Sequence, residues 1–153
     1  METDSLITRD HADDPQLRVI SFGFGFGPAP AADLVLDLRE LFRDPHVSPA
    51  LREMTGRDYP VIANVLSTPG AVAFIDRIFN AIGELVRLEL GTVTVAAGCT
   101  GGRHRSTTVA DQLGFHARAA GWTAEIVHRD IDRPVLTSRR KTTAADLAAA
   151  GER

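Results

Sequence analysis

The chain predicts an α/β domain of three layers built around a small, largely parallel sheet. Short β-branched apolar runs bounded by turn residues read as strands, and longer segments with apolar residues at helical spacing lie between them. Strand, helix, strand, helix, strand in that order calls for crossover connections and parallel pairing. The third observation is the passage from 93 to 108, Val-Thr-Val-Ala-Ala-Gly-Cys-Thr-Gly-Gly-Arg-His-Arg-Ser-Thr-Thr, which runs from an apolar strand through a glycine-rich turn into a hydroxyl-rich helix start.

Taken along the chain, Met1 to Gln16 is polar and acidic without periodicity, the composition of a disordered segment. Leu17 to Phe22 and Leu34 to Leu38 read as the first two strands. Between them Gly23-Phe24-Gly25-Phe26-Gly27-Pro28 fails the Gly-x-Gly-x-x-Gly spacing, because the third glycine would fall on Pro28. The run is a loop, either idle or closing over a ligand. Residues 39–67 are punctuated by Pro45, Pro49, Gly56 and Pro60, with a short helix near Val61 to Leu66, and so long an irregular stretch in one domain points to function. Thr68-Pro69 predicts the start of a helix carrying Ile75, Ile78, Phe79, Ile82, Leu85 and Val86 on one face and ending at Gly91. Thr92 to Ala97 is the third strand, His104 to Ala120 the second long helix, and Trp122 to His128 the fourth strand. The organisation expected is an N-terminal segment 1–16, a domain over 17–132 and a tail over 133–153.

Bulk composition bounds the function. A chain of 153 residues with 44% apolar content supports one ordinary core. No apolar run reaches membrane-spanning length, and Met-Glu-Thr-Asp-Ser does not begin a signal peptide, so a cytoplasmic protein with no membrane partner is expected. One cysteine, Cys99, excludes an internal disulfide and a multi-thiolate metal site within one chain, and neither metal nor cofactor is expected. Net charge is −3, yet residues 16–143 hold 15 basic against 13 acidic side chains, so the body is slightly positive between acidic ends. That balance neither requires nor excludes a nucleic-acid partner, because a local patch decides.

The passage after the third strand has the chemistry of an anion cradle. Gly98, Gly101 and Gly102 let the backbone turn its amides inward, the helix start adds free N–H groups and the positive end of its dipole, and Arg103 and Arg105 offer forked donors. In open parallel sheets ligands sit beyond the carboxyl ends of the strands. Arg39 and Arg129 follow two other strands, and Arg39, Arg105 and Arg129 are expected to converge on one pocket. Cys99-x5-Arg105 followed by Ser106 resembles the phosphate loop of cysteine-dependent phosphatases, in which the thiolate attacks phosphorus and the hydroxyl helps it leave. Gly98 stands where those enzymes have His, and Asp44 and Asp130 are the aspartates available as general acid.

A longer resemblance covers residues 17–130. Ser-Phe-Gly-Phe at 21–24, Leu-Asp-Leu-Arg at 36–39, Asp-Pro-His at 44–46, Leu-Arg-Glu-Met-Thr-Gly at 51–56, Gly-Cys-Thr-Gly-Gly-Arg-His-Arg-Ser at 98–106 and His-Arg-Asp at 128–130 are similar, in the same order, to the C-terminal domain of the RNase adapter protein RapZ family. The resemblance implies a non-catalytic domain that binds a phosphorylated amino sugar, glucosamine-6-phosphate, with small RNA or a regulatory protein as output partner. It implies that Cys99, Thr100, Gly101, Gly102, His104, Arg105 and Ser106 hold the phosphate and that Asp37 and His46 face the sugar; Arg39, placed by its position after the second strand, is a further ligand-binding candidate, the alternative being a salt-bridging surface arginine. RNA would be met by Arg129, Arg133, Arg139, Arg140 and Lys141. Full-length members add a nucleotide-binding domain with a Walker motif; this sequence has no Gly-x4-Gly-Lys-Ser/Thr, so nucleotide binding by that route is not expected. Relatives place Lys-His where Gly25-Phe26 stands, and their basic extension is here reduced to Arg139-Arg140-Lys141. The oligomeric state, a homo-oligomer included, stays open.

Overall fold

Strands β1 (Leu17–Gly23), β2 (Leu34–Asp37), β3 (Val93–Cys99) and β4 (Ala124–His128) form one sheet in the order β2-β3-β1-β4, with every neighbouring pair parallel. The structure, a computed structural model, describes residues 13–137. The strands are joined by α1 (Pro49–Arg52), α2 (Tyr59–Leu66), α3 (Ala71–Arg87) and α4 (Arg105–Ala119), with 3-10 turns at Phe24–Phe26 and Pro45–Val47. This is the small α/β domain with a parallel sheet that the sequence predicts.

The core follows from strand alternation. Leu17 and Val19 of β1 and Val93, Val95 and Ala97 of β3 point to one face, where they bury against Ile75 and Ile82 of α3 and Val109, Leu113 and Ala117 of α4. The two long helices touch each other as well as the sheet, so they share that face. Gln16 is tied to Thr123 through its amide and its side chain, which anchors the start of β1 beside β4.

Several boundaries differ from the sequence reading. The third strand runs two residues further, to Cys99, because Phe22 and Gly23 of β1 continue the ladder opposite Gly98 and Cys99. Gly98 is therefore a strand residue; a Cβ there would lie 2.4 Å from the Phe22 ring. The turn proper begins at Thr100. Helix α3 begins at Ala71 with Gly70 as N-cap, not at Thr68-Pro69, since the Thr68 hydroxyl is taken by the Arg43 amide at 2.7 Å. It ends at Arg87, and Glu89 and then Gly91 turn the chain with positive φ. β4 starts at Ala124 rather than Trp122, the Trp122 amide being held by the Ala117 carbonyl at the end of α4. Of the expected disordered segment, residues 1–12 lie outside the described residues, as does the tail from 138 with Arg139, Arg140 and Lys141.

The irregular stretch between β2 and α2 is packed against the start of α4 through Gly56. Its amide donates to the Arg103 carbonyl at 2.8 Å, and a Cβ on it would lie 2.4 Å from the His104 carbonyl oxygen and 2.7 Å from the Thr108 nitrogen. Gly56→Ala is expected to cost about 1–3 kcal/mol by overpacking, read as a lower urea midpoint at unchanged slope; an unaltered midpoint would show that the stretch is not seated on α4.

Candidate functional site

A cavity of about 620 Å³ opens where β3 ends and α4 begins. Its floor is Cys99, Thr100 and Gly101, its walls are Asp44, His46, Arg103, His104 and Arg105, and its far side is Gly25 together with residues 134–137. The position is the one that parallel topology favours for ligands. Gly102 closes the turn with φ 67°, a left-handed conformation that favours glycine, and a Cβ would lie 2.6 Å from the Gly23 nitrogen. Among the described residues, the backbone amides of Gly101, Gly102, Arg103 and His104 donate to no protein acceptor, which leaves the turn free to cradle an anion.

Arg105 opens α4 and is 5% exposed. Its Nη1 donates to the Arg39 carbonyl at 2.6 Å and its Nη2 lies 3.3 Å from Asp44 Oδ2, whereas its buried Nε has no partner. A buried donor left unmade is costly, so this one marks a place for an acceptor. Cys99, also buried, has its Sγ 3.2 Å from the Ser106 hydroxyl.

The other basic residues of the motif, Arg103 and His104, hold the wall. Arg103 donates from Nε to the Met54 carbonyl at 3.0 Å and from Nη2 to the Glu53 carbonyl, with Nη1 3.4 Å from the carbonyls of Ile131 and Arg133. His104 Nε2 lies 2.9 Å from the Met54 carbonyl and 3.1 Å from that of Arg52. That geometry puts the proton on Nε2. Burial pushes the His104 pKa below 6.5, against the opposing effects of those two carbonyls and of Asp44, so the ring stays neutral at pH 7 and brings no charge to an anion. It lines the cavity but acts chiefly as a clamp on residues 52–54.

The convergence of three arginines is corrected by the structure. Arg39 contributes its carbonyl to Arg105, while its guanidinium pairs with Asp37 at 2.6 Å and stacks 3.9 Å from the Phe24 ring. The same hydrogen bonds hold the Asp37 carboxyl below its ordinary range, and neither Asp37 nor Arg39 lines the cavity. Arg129 donates to Asp130, to the Pro28 carbonyl and to the Gly23 carbonyl, so it braces the turn after β1 instead of reaching a ligand. Asp130, 1% exposed, accepts the Gly23 amide at 2.8 Å, a structural task that removes it as a general acid. Gly102 and Ser106 support the turn from behind and do not line the cavity. His46 does line it. Asp44, considered from the sequence only as a proton donor, is the carboxylate that the cavity presents; its place after Phe42, which has positive φ, was not readable from residue type. No group of three or more metal-ligating side chains occurs among the described residues, and no single helix there is long and apolar enough to cross a membrane.

Because the folded state refuses a proton at His104 that the unfolded chain accepts near pH 6.5, its contribution to stability is present above that pH and is lost as pH falls. His104→Gln is expected to lose less stability than wild type between about pH 7 and about pH 5.5, measured by urea unfolding at each pH; parallel losses would show that His104 does not titrate differently on folding.

The geometry agrees with the comparisons. A model of the RapZ C-terminal domain matches residues 15–132. The chain is 47% identical over 119 residues to a nucleotide-binding protein of Parafrankia sp. (strain EAN1pec), covering 75% of this chain and 41% of that protein. It is 44% identical over 126 residues to one of Streptomyces coelicolor, covering 78% and 42% respectively, and 42% identical over 127 residues to one of Sphingopyxis alaskensis, covering 79% and 40%. The chain thus spans about two fifths of the length of these curated relatives. With the family model matching most of the chain, including every residue from β1 through Asp130, this protein belongs to the RapZ C-terminal domain family.

Proposed function

We propose that this domain is a non-catalytic sensor of a phosphorylated amino sugar, of which glucosamine-6-phosphate is the representative, acting in the cytoplasm and passing its occupancy to an RNA or protein partner. The observation that carries the reading is Arg105, a buried guanidinium of the cavity lining whose Nε has no partner, directly following in sequence four residues whose backbone amides donate to no protein acceptor. A phosphate oxygen supplies the missing acceptor, and the amides with the α4 dipole share the charge. Cys99, Thr100 and Gly101 underlie the phosphate, and His46 meets hydroxyls of the sugar.

The relatives are described as nucleotide-binding proteins, but this chain matches two fifths of their length and carries no Walker motif. What it takes over from that description is recognition of phosphate by the turn at 98–106. RNA contact falls to Arg133, 59% exposed at its side chain and 5.4 Å from the Phe26 ring, and to Arg139, Arg140 and Lys141 beyond the described residues. Such contacts are phosphate-directed and weaken steeply with salt.

A cysteine phosphatase is the second reading, favoured by the approach of Cys99 Sγ to Ser106 Oγ beside Arg105. Against it stand a buried cysteine, 3% exposed, and the two nearby aspartates engaged elsewhere, Asp44 on Arg105 and Asp130 on the Gly23 amide.

Thermal shift with glucosamine-6-phosphate separates the two. Ligand at about 100 times its dissociation constant adds about 2.7 kcal/mol, a shift of several degrees in a domain of this size. Arg105→Ala is expected to weaken the ligand at least about tenfold, the loss of a charged hydrogen bond, whereas Cys99→Ser keeps the affinity within about threefold. Phosphate release by wild type that Cys99→Ser abolishes would replace the sensor with the enzyme, and full affinity in Arg105→Ala would discard the cradle.

A further inference from the structure

The cradle carries its own counterion. Of the charged side chains lining the cavity, Arg103 is spent on backbone carbonyls, which leaves Arg105 and Asp44 facing each other with Nη2 3.3 Å from Oδ2. Asp44 is held in that place from behind. Its Oδ1 accepts the His46 amide at 3.0 Å and caps the 3-10 turn Pro45–Val47, so the carboxylate cannot swing away without uncapping the turn. Its side chain is 36% exposed while that of Arg105 is 6% exposed, so the carboxylate is the half of the pair that a ligand meets.

An anion entering the turn gains Arg105 Nε and the free amides, but it also comes within a side chain's length of a fixed negative charge. A plain phosphate bears that repulsion with no cation of its own to set against it. A ligand that carries an anionic group and an amine on one small scaffold meets both halves of the pair, the anion on Arg105 and the ammonium on Asp44. We propose that Asp44 is the specificity-determining residue of this cavity: it turns away simple anions and admits those that bring their own cation. The inference rests on the reading of the cavity as a phosphometabolite site. It replaces Asp37, expected from the sequence to face the sugar but paired with Arg39 and outside the cavity lining, with Asp44 as the carboxylate that meets the ligand.

Isothermal titration of the whole chain tests it, with glucosamine-6-phosphate, glucose-6-phosphate and inorganic phosphate as probes against wild type, Asp44→Asn and Asp44→Ser. Asparagine keeps the oxygen that caps the turn and loses only the charge; serine keeps a shorter cap oxygen. A melting curve for each variant checks that the fold is retained. Wild type is expected to prefer the amino sugar phosphate over glucose-6-phosphate by at least about tenfold. Asp44→Asn is expected to erase that preference and to bind inorganic phosphate more tightly than wild type does. If the preference persists in both variants, or if wild type binds the two sugar phosphates equally, the cavity still binds phosphate and the assignment to Asp44 is wrong. If none of the three probes binds wild type or either variant, the metabolite-site reading itself fails and this inference falls with it.

Discussion

A guanidinium buried at the first residue of α4 sets the terms for everything around it. A charge withdrawn from water must be paired and hydrogen-bonded or its cost is prohibitive, and Arg105 meets that demand by drawing three separate parts of the chain to one point. The carbonyl of Arg39 comes from the end of β2, the carboxylate of Asp44 from the 3-10 turn that follows, and α4 itself places the side chain at the end of β3. Two of its three nitrogens are satisfied by protein, and the third, Nε, is buried without a partner in a side chain that lines the cavity.

Neighbouring residues of the same motif do different work. Arg103 and His104 flank the turn as Arg105 does, yet their donors go to the carbonyls of residues 52–54 and fasten the irregular stretch that carries Asp44 and His46. The same short passage therefore builds the cradle and positions the wall opposite it. On the other side Asp130 holds the Gly23 amide while Gly102 lets the turn lie against β1 without a Cβ between them. Side chains alike in residue type are thus divided between fastening the backbone, as Arg103 and His104 do, and lining the cavity with an unpartnered donor, as Arg105 does.

The sheet and both long helices were legible because their signals are local: apolar alternation in β1 and β3, helical spacing from Ile75 to Val86, and the glycine turn into α4. What escaped depends on partners far apart in sequence. Thr68 is an ordinary N-cap by residue type, but its hydroxyl is claimed by the Arg43 amide. Gly98 looks like a turn glycine and is a strand residue making room for the Phe22 ring. Of the candidate site, His46, Cys99, Thr100, Gly101, His104 and Arg105 gather at the cavity, whereas Asp37 and Arg39 neutralise one another outside it. Two residues apart on an extended chain, those two could as well have been a ligand pair as an ion pair; only the fold distinguishes the cases.

The central claim is that Arg105 Nε and the free amides of the turn receive the ligand's anion. Backbone and arginine N–H spectra of the isotope-labelled chain, recorded as glucosamine-6-phosphate is added, observe those groups directly. On binding, the Arg105 Nε–H signal is expected to sharpen and move downfield together with the amides of Gly101 through His104, while the side-chain signals of Arg39 and Arg129 stay in place. Saturable shifts centred on Arg39 or Arg129, with Arg105 and the turn unmoved, would contradict it.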